Sequence, residues 1–340
     1  MASEAYRRSG VDLDLMEGMK ERIKAFAAMT HGPEVFDSGG SFAGLYQFTG
    51  FSQPVLVAST DGVGTKLKIA AALGHFESIG QDLVTLNVND ILTRGARPLF
   101  FLDYVAFSSL DPQRMETLLR GIVWGCREVG CALIGGETAQ MPGTYADDEL
   151  DLAGFVVGAV ERDQVIDGKD IESGDYLLGI PSSGVHTNGF SLVRHVFNID
   201  ENPSVLFHHY QELQHQLGEE LLTRHRCYYP LLAPALGLIK GLAHITGGGL
   251  PGKIPAILPD GLAASFRLGS WRVPPIFGLI QHEGNVGAGE MYRVFNMGLG
   301  MVAVCGEENV TPLQELVPDA TVVGRIVDRG SGQQVLLEEG

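Results

Sequence analysis

The chain has 340 residues, of which 45% are hydrophobic and 19% are charged, so it is long and apolar enough for two globular domains. Its formal net charge of −17 argues against nucleic acid as the main partner. No stretch approaches the roughly 18 apolar residues of a membrane span, and the N-terminus has no apolar signal region. We therefore expect a cytoplasmic protein with no membrane partner.

The first half of the chain alternates between strand and helix patterns. The clearest helix is predicted at 112–128, because Asp111 is a good N-cap and Pro112 suits the first helical position. Apolar residues from Met115 to Cys126 form a continuous stripe on it. The other predicted elements here are strands at 55–58, 99–107, 131–134 and 152–160 and helices at 67–73 and 82–93.

The second half mixes strands and helices as well. A charged segment at 161–170 separates the halves, so we predict an N-terminal domain at 1–165 and a C-terminal domain at 166–340. The fold class is α+β or a mixed α/β arrangement. The predicted elements are strands at 176–181, 262–266, 299–304 and 321–327 and helices near 190–197, 210–224 and 231–243.

Three acidic motifs follow or interrupt apolar segments of the first half. They are Asp61 in STDGVGTK (59–66), Asp90 in NVND (87–90) and Glu137 in GGETAQMPGTY (135–145). An unpaired carboxylate is costly in apolar surroundings, whereas carboxylates together with substrate phosphates often hold Mg²⁺. The pattern therefore indicates a cation and a bound polyphosphate, as in an enzyme that uses ATP.

Each acidic motif also has a plain structural explanation. The sequence from Asp61 to Lys66 is not a P-loop, and it could be a strand-to-helix turn with a capping Asp and a surface Lys. The polar residues Asn87, Asn89 and Asp90 could form an internal hydrogen-bond network or a dimer contact instead of a metal shell. Glu137 could be an ordinary acid near a helix start.

Two motifs of the second half suit phosphate chemistry. His186 lies in a loop rich in Ser, Thr, Gly and Asn, where it could contact phosphate or transfer a proton. Gly247–Gly249 precede a predicted helix at Ile254 and suit an anion site of backbone N–H groups, with a flexible hinge as the alternative. Five other histidines receive no role: His208, His209, His215, His225 and His244.

Taken together, the motifs resemble the aminoimidazole ribonucleotide synthetase family, also called phosphoribosylformylglycinamidine cyclo-ligases. The resemblance runs from YRRSGVD (6–12) to the C-terminal strands. Its most specific strings, besides the three acidic motifs, are PLFFLDY (98–104), SSGVHTNGFSLVR (182–194), ITGGG (245–249) and GNVGAGEMYRVFN (284–296). Some positions depart from the pattern, and the segment after Leu221-Leu222 lacks the usual Pro.

The resemblance implies a fold, a reaction and roles for these residues. Two N-terminal domains would pair across a homodimer into a barrel-like core, while the C-terminal domain would bind formylglycinamidine ribonucleotide. ATP would phosphorylate the formyl oxygen, after which the amidine nitrogen closes the imidazole ring and phosphate leaves. Asp61, Asp90 and Glu137 would hold Mg²⁺, and Lys66 and His186 would act in catalysis. Further ATP contacts would come from Gly62, Gly64, Thr65 and Asn89, and contacts to the substrate 5′-phosphate from Gly247, Gly248, Gly249, Arg194 and Arg293.

Two other functions stay open from the sequence. One is a small-molecule kinase of the same superfamily, similar to thiamine monophosphate kinase. The other is a nucleotide-binding protein without turnover. One observation argues against it, which is that the chain retains Asp61, Asp90, Glu137, Lys66 and His186.

Overall fold

The computed structural model describes residue 8 and residues 11–36, 43–146 and 149–339. The chain falls into two compact units. One comprises the residues up to Ile91 together with Arg97–Glu161, and the other comprises Leu92–Ala96 and the residues from Arg162 onward. Both units contain helices and strands, which confirms the mixed fold class. The YRRSGVD motif lies mostly outside the described residues.

The first unit is built on a four-stranded sheet. A short ladder of β1 (Val35–Phe36) and β2 (Leu45–Tyr46) precedes it along the chain. The sheet itself consists of β3 (Pro54–Gly62), β4 (Arg97–Phe107), β5 (Ala132–Gln140) and β6 (Leu150–Glu161), in the order β3-β6-β4-β5. Strand β6 is antiparallel to β3 and β4, and β4 is parallel to β5, so β3, β4 and β5 run in one direction.

The helices of the first unit cover one face of this sheet and leave the other face open. The helices are α1 (Leu13–Ala28), α2 (Lys66–Leu73), α3 (Glu77–Leu92) and α4 (Pro112–Glu128). Helix α3 approaches the sheet so closely that a Cβ on Gly154 would meet Asn87. On this covered face, alternate β4 residues such as Phe101 and Asp103 are buried. On the other face, Leu102 and Tyr104 are only half-buried, which leaves an open sheet surface.

Glycine sets the separation between α3 and α4. A Cβ on Gly121 of α4 would collide with the backbone carbonyl oxygen of Glu77 in α3, and a Cβ on Gly80 would collide with that of Leu118. The two helices therefore cross with their backbones in contact. Asp111 caps α4 as predicted, because its carboxylate accepts the backbone N–H groups of Gln113 and Arg114.

The second unit contains a six-stranded sheet in the order β12-β9-β11-β7-β10-β8. All neighbours in it are antiparallel except the parallel pair β12 and β9. The strands are β7 (Tyr176–Pro181), β8 (Gly241–His244), β9 (Leu262–Leu268), β10 (Leu299–Cys305), β11 (Thr321–Asp328) and β12 (Val335–Glu339).

Separate hydrophobic cores cover the two faces of the second sheet. Leu177 and Val302 belong to one core, whereas their neighbours Leu178 and Met301 belong to the other. Because alternate residues of a strand point to opposite faces, burial on both sides makes every residue of β10 buried. The predicted strands at 176–181 and 299–304 are confirmed, and their continuous apolar runs have this physical cause.

The second unit has short helices, and two predictions for it were wrong. The predicted helix at 210–224 contains only α6 (Leu217–Leu222), and the predicted helix at 231–243 is divided between α7 (Tyr229–Leu232), a 3₁₀ segment and β8. Pro234 and Gly237 favour the 3₁₀ turn, so apolar spacing alone was misleading. The other helices are α5 (Phe190–Val196), α8 (Gly249–Lys253), α9 (Pro275–Gly284), α10 (Ala288–Val294) and α11 (Glu307–Leu316).

Within the described residues, no helix combines the length and apolar character needed to cross a membrane.

Candidate functional site

Asp61 lies at the end of β3, where the chain turns into α2. The side chain is exposed, and its Oδ1 accepts the backbone N–H of Gly62 at 2.8 Å. Gly64 has φ 63°, a left-handed conformation that suits glycine. The turn therefore presents a carboxylate beside the N-terminus of α2, where helix N–H groups favour anions.

Asp90 reaches the same strand from α3. Its Oδ2 accepts the hydroxyl of Ser59 at 3.0 Å, and Ser59 lies two residues before Asp61 on the same face of β3. Asn87, one turn earlier in α3, donates through Nδ2 to the carbonyl oxygen of Asp61 at 3.2 Å. The structure thus brings Asp61 and Asp90 into one neighbourhood, and Asn87 and Asn89 of the same helix are fully buried.

Lys66 does not face the outside of this turn. Its side chain is fully buried, and its Nζ lies 2.6 Å from Oδ2 of Asp82 in α3, which is fully buried too. A phosphate cannot reach an ammonium group in this position. The predicted direct contact between Lys66 and a phosphoryl group is therefore inconsistent with this arrangement. The surface lysine of the structural alternative is inconsistent with it too, because Lys66 forms an internal ion pair.

Glu137 and Asp61 of the same chain lie far apart in the sheet. Asp61 pairs with Gly154, Gly154 with Asp103, and Asp103 with Gly136, which forms one row across the sheet. Glu137 is one residue beyond this row, so it points to the opposite face. Three strand spacings of about 4.8 Å also separate β3 from β5. A single ion held by Asp61 and Glu137 of one chain is therefore inconsistent with the register.

Asp103 is a candidate site residue that the sequence analysis missed. It lies on the covered face of β4 and is 7% exposed. Burial raises the pKa of its carboxyl from 3.8 to about 7. A Cβ on Gly136 would collide with this carboxyl group, so the second glycine of GGETAQMPGTY makes room for it. A polar residue inside the apolar PLFFLDY strand was the available signal.

A cavity of about 750 Å³ lies beside Asp103 and Glu137. It is lined by α1, the β1–β2 ladder and the strand β5, and its wall includes Lys20, Lys24 and His31. His31 is oriented by a 2.8 Å hydrogen bond between its Nε2 and the carbonyl oxygen of Leu133. The cavity has the size of a small-molecule site and combines apolar walls with groups of both charges.

In the second unit, the glycine motif and the histidine loop adjoin each other. A Cβ on Gly247 would lie 3.2 Å from Oδ1 of Asn188, which belongs to the loop 182–189. Gly248 and Gly249 have φ values of 97° and 58°, so the turn before α8 uses left-handed conformations. A Cβ on Gly249 would collide with the carbonyl oxygen of Tyr292 in α10, so the motif also needs glycine for packing.

The two predicted phosphate-binding arginines differ in their surroundings. Arg194 is 14% exposed and forms a bidentate ion pair with Asp200, in which its Nε donates at 2.8 Å. Its guanidinium is therefore bound by a carboxylate of its own unit. Arg293 lies exposed in the last turn of α10, whose backbone packs against Gly249. Of the two, Arg293 has the better position for a ligand at the glycine turn.

His186 lies inside the second unit and has two further histidines beside it. It is 2% exposed, and its Nε2 accepts the backbone N–H of Ser183 at 3.1 Å. Its ring stacks on that of His225 with centroids 3.9 Å apart. His225 in turn meets His244, the residue that ends β8. Sequence reasoning gave His225 and His244 no role, since nothing in the spacing of three distant segments shows that they converge.

Asn296 holds the loop 182–189 in place. Its Nδ2 donates to the carbonyl oxygen of Gly184 at 2.8 Å, and its Oδ1 accepts the hydroxyl of Ser182 at 2.9 Å. It is the last residue of GNVGAGEMYRVFN, so this motif and SSGVHTNGFSLVR form one hydrogen-bonded structure. Asn296 is only 3% exposed, and buried polar groups need hydrogen-bond partners. An amide side chain, which both donates and accepts, satisfies the loop and is itself satisfied by it.

The fold is shared with solved structures of other proteins. Thiamine-monophosphate kinase from Stenotrophomonas maltophilia has a TM-score of 0.67 at 19% identity, with 94% of this chain and 95% of that chain covered. A structure of the hydrogenase maturation protein HypE in complex with ATP has a TM-score of 0.66 at 17% identity, covering 94% and 91%. These similarities show that the chain has the fold of these proteins.

The sequence comparisons are more specific. The N-terminal domain of AIR synthase related proteins matches residues 40–160, and the C-terminal domain of the same proteins matches residues 172–336. The chain therefore belongs to the AIR synthase related protein family. A relative from Sorangium cellulosum is 49% identical over 96% of this chain and 97% of its own length, and one from Brevibacillus brevis is 46% identical over 95% and 96%. Both are named phosphoribosylformylglycinamidine cyclo-ligase.

Proposed function

We propose that the chain is an ATP-dependent cyclo-ligase that converts formylglycinamidine ribonucleotide to 5-aminoimidazole ribonucleotide, with ADP and phosphate as the other products. The observation that carries the proposal is the similarity to cyclo-ligases at 45% to 49% identity over nearly the whole length of both chains. The family resemblance read from the motifs agrees with it.

The chemistry explains why such an enzyme uses ATP. An amide-type oxygen is a poor leaving group, whereas its phosphate ester is a good one. The γ-phosphoryl group is transferred to the formyl oxygen and ADP leaves. The amidine nitrogen then attacks the formyl carbon, the bond from carbon to the phosphorylated oxygen breaks, and inorganic phosphate departs with that oxygen. The protein contributes mainly by positioning the reactants and stabilising the charge.

We propose that the ATP phosphates lie at the turn between β3 and α2. Asp61 is exposed there, Asp90 adjoins it, and Mg²⁺ prefers such carboxylate oxygens together with phosphate oxygens. The backbone from Gly62 to Thr65 can approach phosphate closely. Lys66 acts as a positioning residue in this account, because its ion pair with Asp82 fixes the start of α2 against α3.

Glu137 is assigned to a separate position on the nucleotide or on a second ion. It shares the cavity of about 750 Å³ with Asp103, away from Asp61 in the same chain. Within a homodimer, the open sheet faces of two chains could pair into a common core. That surface carries exposed apolar side chains, among them Leu56 at 63% exposure and Phe155 at 38%, which supports the proposal of a dimer.

We place the ribonucleotide substrate in the second unit. Gly247 and Gly248 offer backbone N–H groups to its 5′-phosphate, whereas the N–H of Gly249 donates to the carbonyl oxygen of Thr246 at 2.9 Å. Arg293 lies exposed on the helix that packs against Gly249. Arg194 is left out of this contact because Asp200 binds it. His186 orders the loop 182–189 through Ser183, and a direct proton transfer by His186 during ring closure stays a prediction.

The proposal is tested by mixing the purified protein with formylglycinamidine ribonucleotide, ATP and Mg²⁺ and measuring both ADP and aminoimidazole. We expect the two products in equal amounts and neither without the substrate. ADP without imidazole would favour a kinase or an uncoupled ATPase. Neither product from folded, ATP-binding protein would favour the non-catalytic alternative.

A further inference from the structure

Three buried histidines of the second unit form a compact group, here called the histidine cluster: His186, His225 and His244. Each can offer a ring nitrogen, and these nitrogens all lie within 4.8 Å of one another. The residues come from the loop before α5, from the segment after α6 and from the end of β8. Burying three polar rings side by side needs a physical reason.

Two members of the cluster already have the spacing of metal ligands. Nε2 of His225 lies 3.0 Å from Nε2 of His244. Two nitrogens on a tetrahedral Zn²⁺ at about 2.0–2.1 Å are separated by roughly 3.3 Å, so an ion between the two rings requires only a small movement. A hydrogen bond between the rings gives a similar distance, and the experiment below distinguishes the two.

The outer contact of His225 suits a metal ligand too. Its Nδ1 lies 3.2 Å from the hydroxyl of Thr187, within hydrogen-bond reach. Histidine ligands generally donate their second ring N–H to an oxygen, which fixes the tautomer and leaves the other nitrogen for the metal. With Nδ1–H donated to Thr187, Nε2 of His225 is the nitrogen that faces His244.

His186 is the third member of the histidine cluster, and its ring stacks on that of His225. Its ring lies 3.9 Å from that of His225, and its backbone has φ 64°, a left-handed conformation that is uncommon for residues other than glycine. Such conformations often occur at functional sites. Binding through Nε2 would replace the hydrogen bond from Ser183 with a bond to the ion, accompanied by a tilt of the ring away from the stack.

We propose that the histidine cluster binds one divalent transition-metal ion, with Zn²⁺ the best match. Imidazole nitrogens suit Zn²⁺, Ni²⁺ and Cu²⁺, whereas Mg²⁺ prefers oxygen ligands, so this site differs in kind from the acidic site of the first unit. Three protein ligands leave a fourth position for water or another small ligand. The ion would join the loop 182–189, the segment after α6 and β8. The proposal does not depend on the proposed cyclo-ligase activity.

The test is a titration of the full-length protein, freed of metal, with Co²⁺ as a coloured substitute for Zn²⁺. We expect one equivalent to bind with visible absorption of a tetrahedral site, and Zn²⁺ to displace it. His225→Gln and His244→Gln should each weaken binding by about 100-fold or more, since loss of even an outer-shell partner costs 10–100-fold. Absence of a stoichiometric site, or unchanged affinity in both variants, would overturn the proposal.

A matched control addresses adventitious binding. His208 and His209 are exposed neighbours on the surface, and the double variant H208Q/H209Q should bind Co²⁺ like the wild type. If that variant loses the site, the metal was held at the surface and the cluster is not a metal site. Circular dichroism of each variant checks folding.

X-ray absorption of the Zn²⁺ form of the wild type needs no variant at all. It should show imidazole nitrogens at about 2.0–2.1 Å, whereas sulfur at about 2.3 Å would refute the assignment.

Discussion

The ion pair of Lys66 and Asp82 lies inside the first unit, where it can affect stability without touching a ligand. Both side chains are fully buried, and their charged atoms are 2.6 Å apart. Removing one partner leaves a buried charge, so Lys66→Met should destabilise the protein by about 3–5 kcal/mol. Urea unfolding measures the change. Lost turnover together with an unchanged free energy of unfolding would instead indicate direct contact with the nucleotide.

The double variant K66M/D82L is the control for this interpretation. Because it removes both charges, it should recover a large part of the stability lost by Lys66→Met. Equal stability of the single and double variants would show that the ion pair is not the cause.

Asp103 should make stability depend on pH. Its pKa in the folded protein is about 7, above the ordinary 3.8, because burial disfavours the charged form. Its contribution to stability is therefore complete below about pH 4 and is lost as the pH rises through 7. At about 1.4 kcal/mol per pKa unit, the difference between pH 4 and pH 8 is about 4 kcal/mol. Thermal melting across this range measures it.

Asp103→Asn separates this effect from other titrating groups. The amide cannot ionise, so the melting temperature of the variant should fall less than that of the wild type between pH 5 and pH 8. Parallel curves for the two proteins would show that Asp103 does not have the raised pKa.

Asp90 tests the assignment of the metal-binding turn. Asp90→Asn keeps the shape of the side chain but removes its charge, so turnover at limiting Mg²⁺ should fall on the order of 100-fold, as for loss of one electrostatic contact in a transition state. Raising Mg²⁺ should restore part of the rate. The exposed Asp163 provides the control, since Asp163→Asn should leave the rate unchanged. A near-normal rate of the Asp90 variant at limiting Mg²⁺ would contradict the assignment.

In two helices of the first unit, replacing a glycine by alanine should change the stability of the protein in opposite directions. Gly121 lies where α4 crosses α3, and an added Cβ would collide with the backbone of Glu77, so Gly121→Ala should destabilise by about 1–3 kcal/mol. Gly18 lies exposed in α1 with nothing within 4 Å of an added Cβ, so Gly18→Ala should stabilise by about 0.5–1 kcal/mol. Chemical denaturation compares them, and the same sign for both would refute the packing argument.

The elements that could be predicted from the sequence have local causes. The helix at 112–128 was predicted correctly because its N-cap, its first-turn Pro and its apolar stripe all lie within its own residues. The strand at 176–181 was equally clear. The region 210–243 was misassigned because apolar spacing fits a helix, whereas prolines and pairing with β10 decide its structure.

The candidate site was only partly predictable, for the same reason. The motif pattern indicated Asp61 and Asp90. In the fold, Asp90 accepts a hydrogen bond from Ser59, which lies two residues before Asp61. The motif pattern could not indicate that Glu137 points to the other face, because that follows from the strand register. Nor could it show that Lys66 is buried or that three distant histidines converge, since both depend on tertiary packing.

For the whole molecule, the open face of the first sheet should be the dimer contact. Leu56 is 63% exposed on this face, so Leu56→Asp should convert a dimer into monomers by placing a charge in an apolar interface. Leu316 in the second unit is 47% exposed, and Leu316→Asp should leave the assembly unchanged. Sedimentation analysis of the two variants measures their oligomeric states. A Leu56→Asp variant that stays dimeric would show that the interface lies elsewhere.

The central claim is that this protein activates a formyl oxygen by phosphorylating it. The most direct test uses formylglycinamidine ribonucleotide labelled with ¹⁸O at the formyl position, together with ATP and Mg²⁺, followed by mass analysis of the phosphate produced. Because the phosphorylated oxygen leaves with the phosphoryl group, we expect one ¹⁸O in each inorganic phosphate formed along with aminoimidazole. Aminoimidazole formation with unlabelled phosphate would contradict the account.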